Sequence, residues 1–238
     1  LALLAGAAGI AMAREWSRLA HGGAFTWPFW FCATAVLVSQ GLAIYGRLDW
    51  GWGALLGVAI LAAVAARAQD KMTFPVFAGI LIIAGACLGL VWLRALPFFG
   101  LETVLWLFAV VWATDSAAFA SGVLLGGPRM APAISPKKTW AGALGGLAAG
   151  AAASVAFGSL LPNANPLYLL LLGAAASFVT QLGDLAESGL KRQFGVKDMS
   201  TLIPGHGGVL DRLDGLIAAT IFVCLLTLWG GASPLTFG

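Results

Sequence analysis

Five of the ten acidic residues in this 238-residue chain, Asp184, Glu187, Asp198, Asp211 and Asp214, fall within 31 positions. Beside them stand Lys191, Arg192, Lys197, Arg212 and His206. At helical spacing Asp184, Glu187, Ser188 and Lys191 share one face, and Asp211 and Asp214 share a face of the helix that opens the last apolar run. Between the two acidic faces runs Ile203-Pro204-Gly205-His206-Gly207-Gly208, where three glycines permit backbone conformations that turn successive N–H groups toward an anion. Carboxylates beside such a loop and several cations suit a Mg²⁺-nucleotide: hard oxygens hold the metal, and Lys, Arg and backbone N–H groups neutralise phosphate. The same residues also suit a solvated loop whose basic side chains meet anionic lipid headgroups. Residue types alone leave both readings open. Neither a Walker loop nor GxGxxG is present, so a nucleotide site here is not of the P-loop or Rossmann kind.

Two further stretches carry polar chemistry. Asp115 sits inside an apolar run, about ten residues or roughly 15 Å from its cytoplasmic end. Burying a carboxylate there costs at least a few kcal/mol, so it must face a cavity, a cation or a partner; a helix–helix hydrogen bond from protonated Asp115 is the alternative. In Ile134-Ser135-Pro136-Lys137-Lys138-Thr139-Trp140, Ser135 is placed to cap and Pro136 to occupy the first turn of the sixth helix. Lys137 and Lys138 then lie at the membrane surface, for a phosphate or as topology-setting charges.

The elements that must position these residues are membrane helices. With 60% hydrophobic and 10% charged residues, the chain falls far short of the roughly 25% charge of a soluble domain. The expected fold is all-α, a polytopic bundle with eight spans near 1–19, 27–45, 50–66, 74–93, 101–125, 140–161, 166–183 and 209–230. With the loop after the first span inside, eleven Lys and Arg lie on cytoplasmic loops and helix ends against only Arg47 and Arg94 outside. The polar stretches 126–139 and 184–214 then face the cytoplasm. Gly142, Gly146 and Gly150 repeat every four residues and let helix backbones approach closely. Cys32, Cys87 and Cys224 lie far apart in apolar runs without zinc-ligand spacing and are read as inert. The division expected is a scaffold of transmembrane helices over 1–100 and a catalytic region over 101–238. No internal repeat suggests an inverted-repeat transporter.

The run from Ser188 to Asp198, followed by Leu202 to Asp214 and preceded by Gly183-Asp184-Leu185, resembles the hallmark stretch of the phosphatidate cytidylyltransferases, or CDP-diacylglycerol synthases. Asp115-Ser116 with Phe119 and Gly122, then Ser135-Pro136-Lys137-Lys138-Thr139-Trp140, resemble that family's upstream motifs, so the similarity spans most of 105–220; Glu15-Trp16 is typical as well. Ala117, Ala141 and Met199 depart from the family's commoner residues without removing a proposed ligand.

The resemblance implies transfer of a cytidylyl group from CTP to phosphatidic acid with Mg²⁺ required and K⁺ as a second cation. It implies Asp184 and Asp211 as metal ligands, with Asp214 and Asp115 in support. Lys191, Arg192, Lys197 and Arg212 are expected on phosphates, helped by Ser188 and the backbone of Gly205, Gly207 and Gly208. Ser135, Lys137 and Lys138 are candidates for the lipid or nucleotide phosphate; His206 either donates to departing pyrophosphate or holds the glycine-rich turn. The implied setting is a bacterial inner membrane, with no nucleic-acid partner and room for a homodimer. Eight spans is one fewer than the nine associated with the family, and the missing piece is expected before Leu1. A different acceptor, such as a polyprenyl phosphate, and an ion or lipid transporter built on Asp115 are the competing readings. The transporter predicts acidic groups at mid-depth in several spans, whereas only Asp115 lies deep.

Overall fold

The computed structural model describes residues 1–69, 73–162, 164–196, 198–200, 202 and 207–237. Its helices are α1 (Ala2–His21), α2 (Trp27–Ile44), α3 (Leu48–Ala68), α4 (Thr73–Arg94), α5 (Gly100–Leu124), α6 (Trp140–Gly158), α7 (Pro166–Gln193) and α8 (Leu210–Gly230). A two-stranded ribbon, β1 (Arg129–Ala131) and β2 (Ser135–Thr139), separates α5 from α6. All eight helices expected from the apolar runs are present. Seven of them, α2 to α8, are long and apolar enough to cross a membrane; α1 carries Arg14, Glu15 and Arg18 within its length. The protein is thus an all-α polytopic bundle.

Two compact units divide the chain, one of Leu1–Trp92 with Phe194–Leu213, the other of Leu93–Gln193 with Asp214–Gly238. In the first, small residues set the packing. A Cβ on Gly9 of α1 would lie 2.9 Å from Val36 and 3.0 Å from the Cys87 sulfur, so α1 rests directly on α2 and α4. Trp16 lies flat against Gly79, and its indole N–H donates to the Pro75 carbonyl at 3.1 Å. The three cysteines are buried and unpaired by disulfide, as their apolar setting implied.

In the second unit the glycine stripe of α6 meets α5 and α7. A Cβ at Gly142 would sit 2.8 Å from the Ala118 carbonyl, and one at Gly150 2.6 Å from the Ser177 Cβ. Buried hydroxyls then bridge the helices that the glycines bring together. Thr114 donates to Ser177 at 2.8 Å and Ser177 to the Gly146 carbonyl at 3.1 Å; the Trp106 indole donates to Ser154 at 2.8 Å, and Ser154 to the Leu169 carbonyl at 2.6 Å. Such bonds satisfy polar groups in helices whose surroundings offer no water.

Two local expectations are corrected. Ser135 and Pro136 belong to β2 and not to the start of α6, whose N-cap is Thr139, its hydroxyl accepting the Gly142 N–H at 3.1 Å. Pro132 and Pro136 favour extended backbone, and a two-stranded ribbon has edges on which a missing N–H is tolerated. The seventh helix runs ten residues beyond the expected end at 183, to Gln193. Its apolar run stops where the polar extension begins, and hydropathy marks only the first part.

Gly150→Ala and Gly53→Ala make a matched test, since both gain about 1 kcal/mol of helix propensity but only Gly150 meets atoms closer than 3 Å. Thermal unfolding in detergent is expected to show Gly53→Ala neutral or slightly stabilised and Gly150→Ala destabilised by about 1–3 kcal/mol.

Candidate functional site

The site in the second unit begins with two glycines. Gly183 on α7 faces Ala218 and the Asp214 carbonyl, and Gly215 on α8 faces Thr180, where a Cβ would lie 2.7 Å from the threonine methyl. No other residue lets the two backbones come so near. The aspartates that neighbour them in sequence, Asp184 and Asp214, are brought together by that approach. Glu187, one turn on along α7, completes a group in which one carboxylate oxygen from each residue lies within 4.8 Å of the others. Asp214 also accepts the Gly215 N–H at 2.7 Å.

Two lysines answer this charge. Lys138 of β2 reaches Asp184 at 2.8 Å, and Lys191 reaches Glu187 at 2.8 Å from one turn further along α7. The Glu187–Lys191 pair is almost enclosed, with side chains 8% and 13% exposed, whereas Asp184 is 41% exposed and opens the group to solvent. Asp115 of α5 lies within electrostatic reach of both Asp184 and Lys138. Carboxylates thus outnumber ammonium groups in this cluster. Hard carboxylate oxygens at this spacing fit Mg²⁺-like ions and not soft ones. The donor set therefore suits a hard divalent cation.

The ribbon is held over this region by α7. Arg192 donates from Nε to the Ile134 carbonyl at 3.2 Å, and Gly189 leaves room beneath the Ile134 side chain. Along β2, Pro136 and Lys137 are exposed, whereas Lys138 is half-buried against Asp184. The two adjacent lysines are thus separated in role, and Ser135 is half-buried at the other end of the strand. Ser188 is half-buried on α7 next to Glu187.

The first unit holds the remainder of the motif. Asp211, in the first turn of α8, accepts on Oδ2 from the Met199 N–H at 2.9 Å and the Gly208 N–H at 2.8 Å. Gly207 adopts φ +82°, in the left-handed region, and a Cβ there would lie 2.9 Å from the same oxygen. Arg212 is exposed beside it. Lys197, Gly205 and His206 lie outside the described residues.

Among the described residues, then, the acidic group joins Asp184 and Asp214 of the sequence-derived set to Glu187, which that set had omitted as a ligand. The three-residue spacing of Asp184 and Glu187 was its signal. Asp211 lies in the other unit.

Membrane-length helices carrying a cluster of carboxylates with a lysine-bearing ribbon beside it are the setting of a membrane-bound enzyme with a polar site. The chain belongs to the cytidylyltransferase family, whose sequence model matches residues 1–229. It is accordingly a nucleotidyltransferase. A phosphatidate cytidylyltransferase of Brucella suis biovar 1 (strain 1330) is 42% identical over 235 residues, covering 94% of this chain and 82% of the relative. One from Brucella abortus biovar 1 (strain 9-941) matches to the same extent. A phosphatidate cytidylyltransferase of Haemophilus influenzae is 44% identical over 131 residues, 53% of this chain and 46% of its own length.

If the carboxylates hold a divalent cation, Mg²⁺ or Mn²⁺ at about a hundred times its dissociation constant is expected to stabilise the folded protein by roughly 2.7 kcal/mol. Thermal unfolding should show that shift in the native chain and its loss in Asp184→Asn and Asp214→Asn.

Proposed function

We propose that this protein transfers the cytidylyl group of CTP to the phosphate of phosphatidic acid, releasing pyrophosphate and forming CDP-diacylglycerol. The observation that carries the reading is the packing of Asp184, Glu187 and Asp214 against Lys138 and Lys191 in a chain of the cytidylyltransferase family. A phosphate oxygen of the lipid attacks the α-phosphorus of CTP, a new P–O bond forms, and the bond to the β-phosphate oxygen breaks with its electron pair leaving on pyrophosphate. The attacking oxygen is already anionic, so no serine–histidine pair is required, and the reaction gains chiefly from positioning and charge neutralisation.

Asp184, Asp211, Asp214 and Glu187 are the residues that would hold Mg²⁺, with Asp115 in support and the Gly207-Gly208 backbone turned to the nucleotide phosphates. A bound Mg²⁺ supplies charge neutralisation at phosphate oxygens. Lys138 sits where an ammonium can pass between Asp184 and a phosphate. Lys191 pairs with Glu187 at 2.8 Å, and Lys137 and Arg212 lie at the surface on the side of the outer phosphates or the lipid headgroup. In this reading 101–238 carries the reacting groups and 1–100 supports them, in a bacterial inner membrane with the polar stretches on the cytoplasmic side. Lipid then enters from the inner leaflet and CTP from water.

The test is pyrophosphate release by detergent-purified protein. Signal is expected with CTP, Mg²⁺ and phosphatidic acid together, not with ATP or without lipid, and is expected to fall at least about a hundredfold in Asp184→Asn. Release with a polyprenyl phosphate and none with phosphatidic acid would reassign the acceptor.

A further inference from the structure

Glu15 lies in α1 with none of its surface exposed. Three donors from the far end of the chain converge on it: the Ser200 hydroxyl at 2.6 Å and the Val209 N–H at 2.9 Å on Oε1, and the Leu210 N–H at 2.7 Å on Oε2. Asp211 takes the neighbouring donors, Gly208 at 2.8 Å and Met199 at 2.9 Å. The successive amides of Gly208, Val209 and Leu210 are thus divided between two carboxylates. A helix leaves its first N–H groups without partners inside the helix and presents a positive end; at α8 one acceptor comes from within and the other from α1. Gly208 is buried, and a Cβ there would lie 2.7 Å from both Glu15 oxygens. Glycine at 208 is what lets the carboxylate close on the helix start.

We propose that Glu15 is a positioning residue for the transfer reaction, clamping Ser200 and the start of α8 so that Asp211 and the Gly207-Gly208 backbone are held in one conformation. The proposal rests on the reading above that Asp211 and this backbone serve the nucleotide. Glu15 touches no reacting atom and acts through the segment it holds. Its chemistry is specific to a carboxylate. In Glu15→Gln one oxygen becomes an NH₂ donor. If it replaces Oε1 it opposes the Val209 N–H, and if it replaces Oε2 it opposes the Leu210 N–H, so either orientation leaves a backbone amide without an acceptor.

The experiment compares native protein and Glu15→Gln in detergent by three measurements: turnover per folded molecule, melting temperature, and amide hydrogen exchange without substrate. Expected for Glu15→Gln are a kcat about 10–100-fold lower, an unchanged KM for phosphatidic acid, and faster exchange confined to peptides spanning 199–213. Native turnover with native exchange would overturn the proposal. So would faster exchange throughout all helices with activity lost only in proportion to the folded fraction, since that marks a merely structural residue. Should Glu15→Gln not fold, Ser200→Ala removes one donor and leaves the apolar core intact; slower turnover with local exchange supports the clamp, and no change in either overturns it. If the native protein releases no pyrophosphate, the functional reading fails, and the substrate-free exchange still decides whether Glu15 orders the segment.

Discussion

Coulomb repulsion among Asp184, Glu187 and Asp214 is the constraint around which the second unit is arranged. Two like charges at the 4.8 Å limit of this group oppose each other by roughly 3–4 kcal/mol at an effective dielectric near 20. Full ionisation of all three would need compensation, and the structure sets cations from separate places beside them. Lys191 comes from the next turn of the same helix, and Lys138 from a strand more than forty positions earlier. The glycines beside the aspartates, Gly183 and Gly215, are the geometric part of the same solution: they bring two backbones close enough for acids on different helices to share one space.

Much of this was legible from residue type and period. Apolar runs gave all eight helices because a membrane-length segment must be apolar along most of its length, whatever its neighbours. The repeat of Gly142, Gly146 and Gly150 announced close packing, and that is where α5 and α7 meet α6. Polar segments were less transparent. The extension of α7 to Gln193 has no apolar signal, since its residues are held by the ion pairs and hydrogen bonds they make after folding. The ribbon at 129–139 was masked by a stretch that reads equally as a helix start, Ser135-Pro136 followed by lysines; Thr139, three residues before the amide it accepts, was the better cap. Pairing of strands depends on a partner elsewhere in the chain, and so it leaves a weak local trace.

Glu15 shows the limit of local reading most clearly. A glutamate in the first helix of an apolar chain, flanked by Arg14 and Trp16, carries no indication that its acceptor capacity belongs to amides near residue 210. Only the folded arrangement reveals that Gly208 lacks a side chain because a carboxylate from another helix occupies the space. Spacing along one segment identifies groups that share a face. It is silent about which distant helix end will need an acceptor.

The separation of 194 and 195 positions between Glu15 and its amide donors also has a meaning in time. At a synthesis rate of about 5–20 residues per second, roughly 10–40 s pass between the addition of the carboxylate and that of its partners. Throughout that interval the nascent chain carries an acid whose eventual hydrogen-bond donors do not yet exist. Water, headgroups or a neighbouring cation must satisfy it meanwhile, so α1 reaches its final environment only after α8 has begun to form. The order of biosynthesis thus runs opposite to the order of settlement: a segment made well before α8 is locked only once α8 has begun to form.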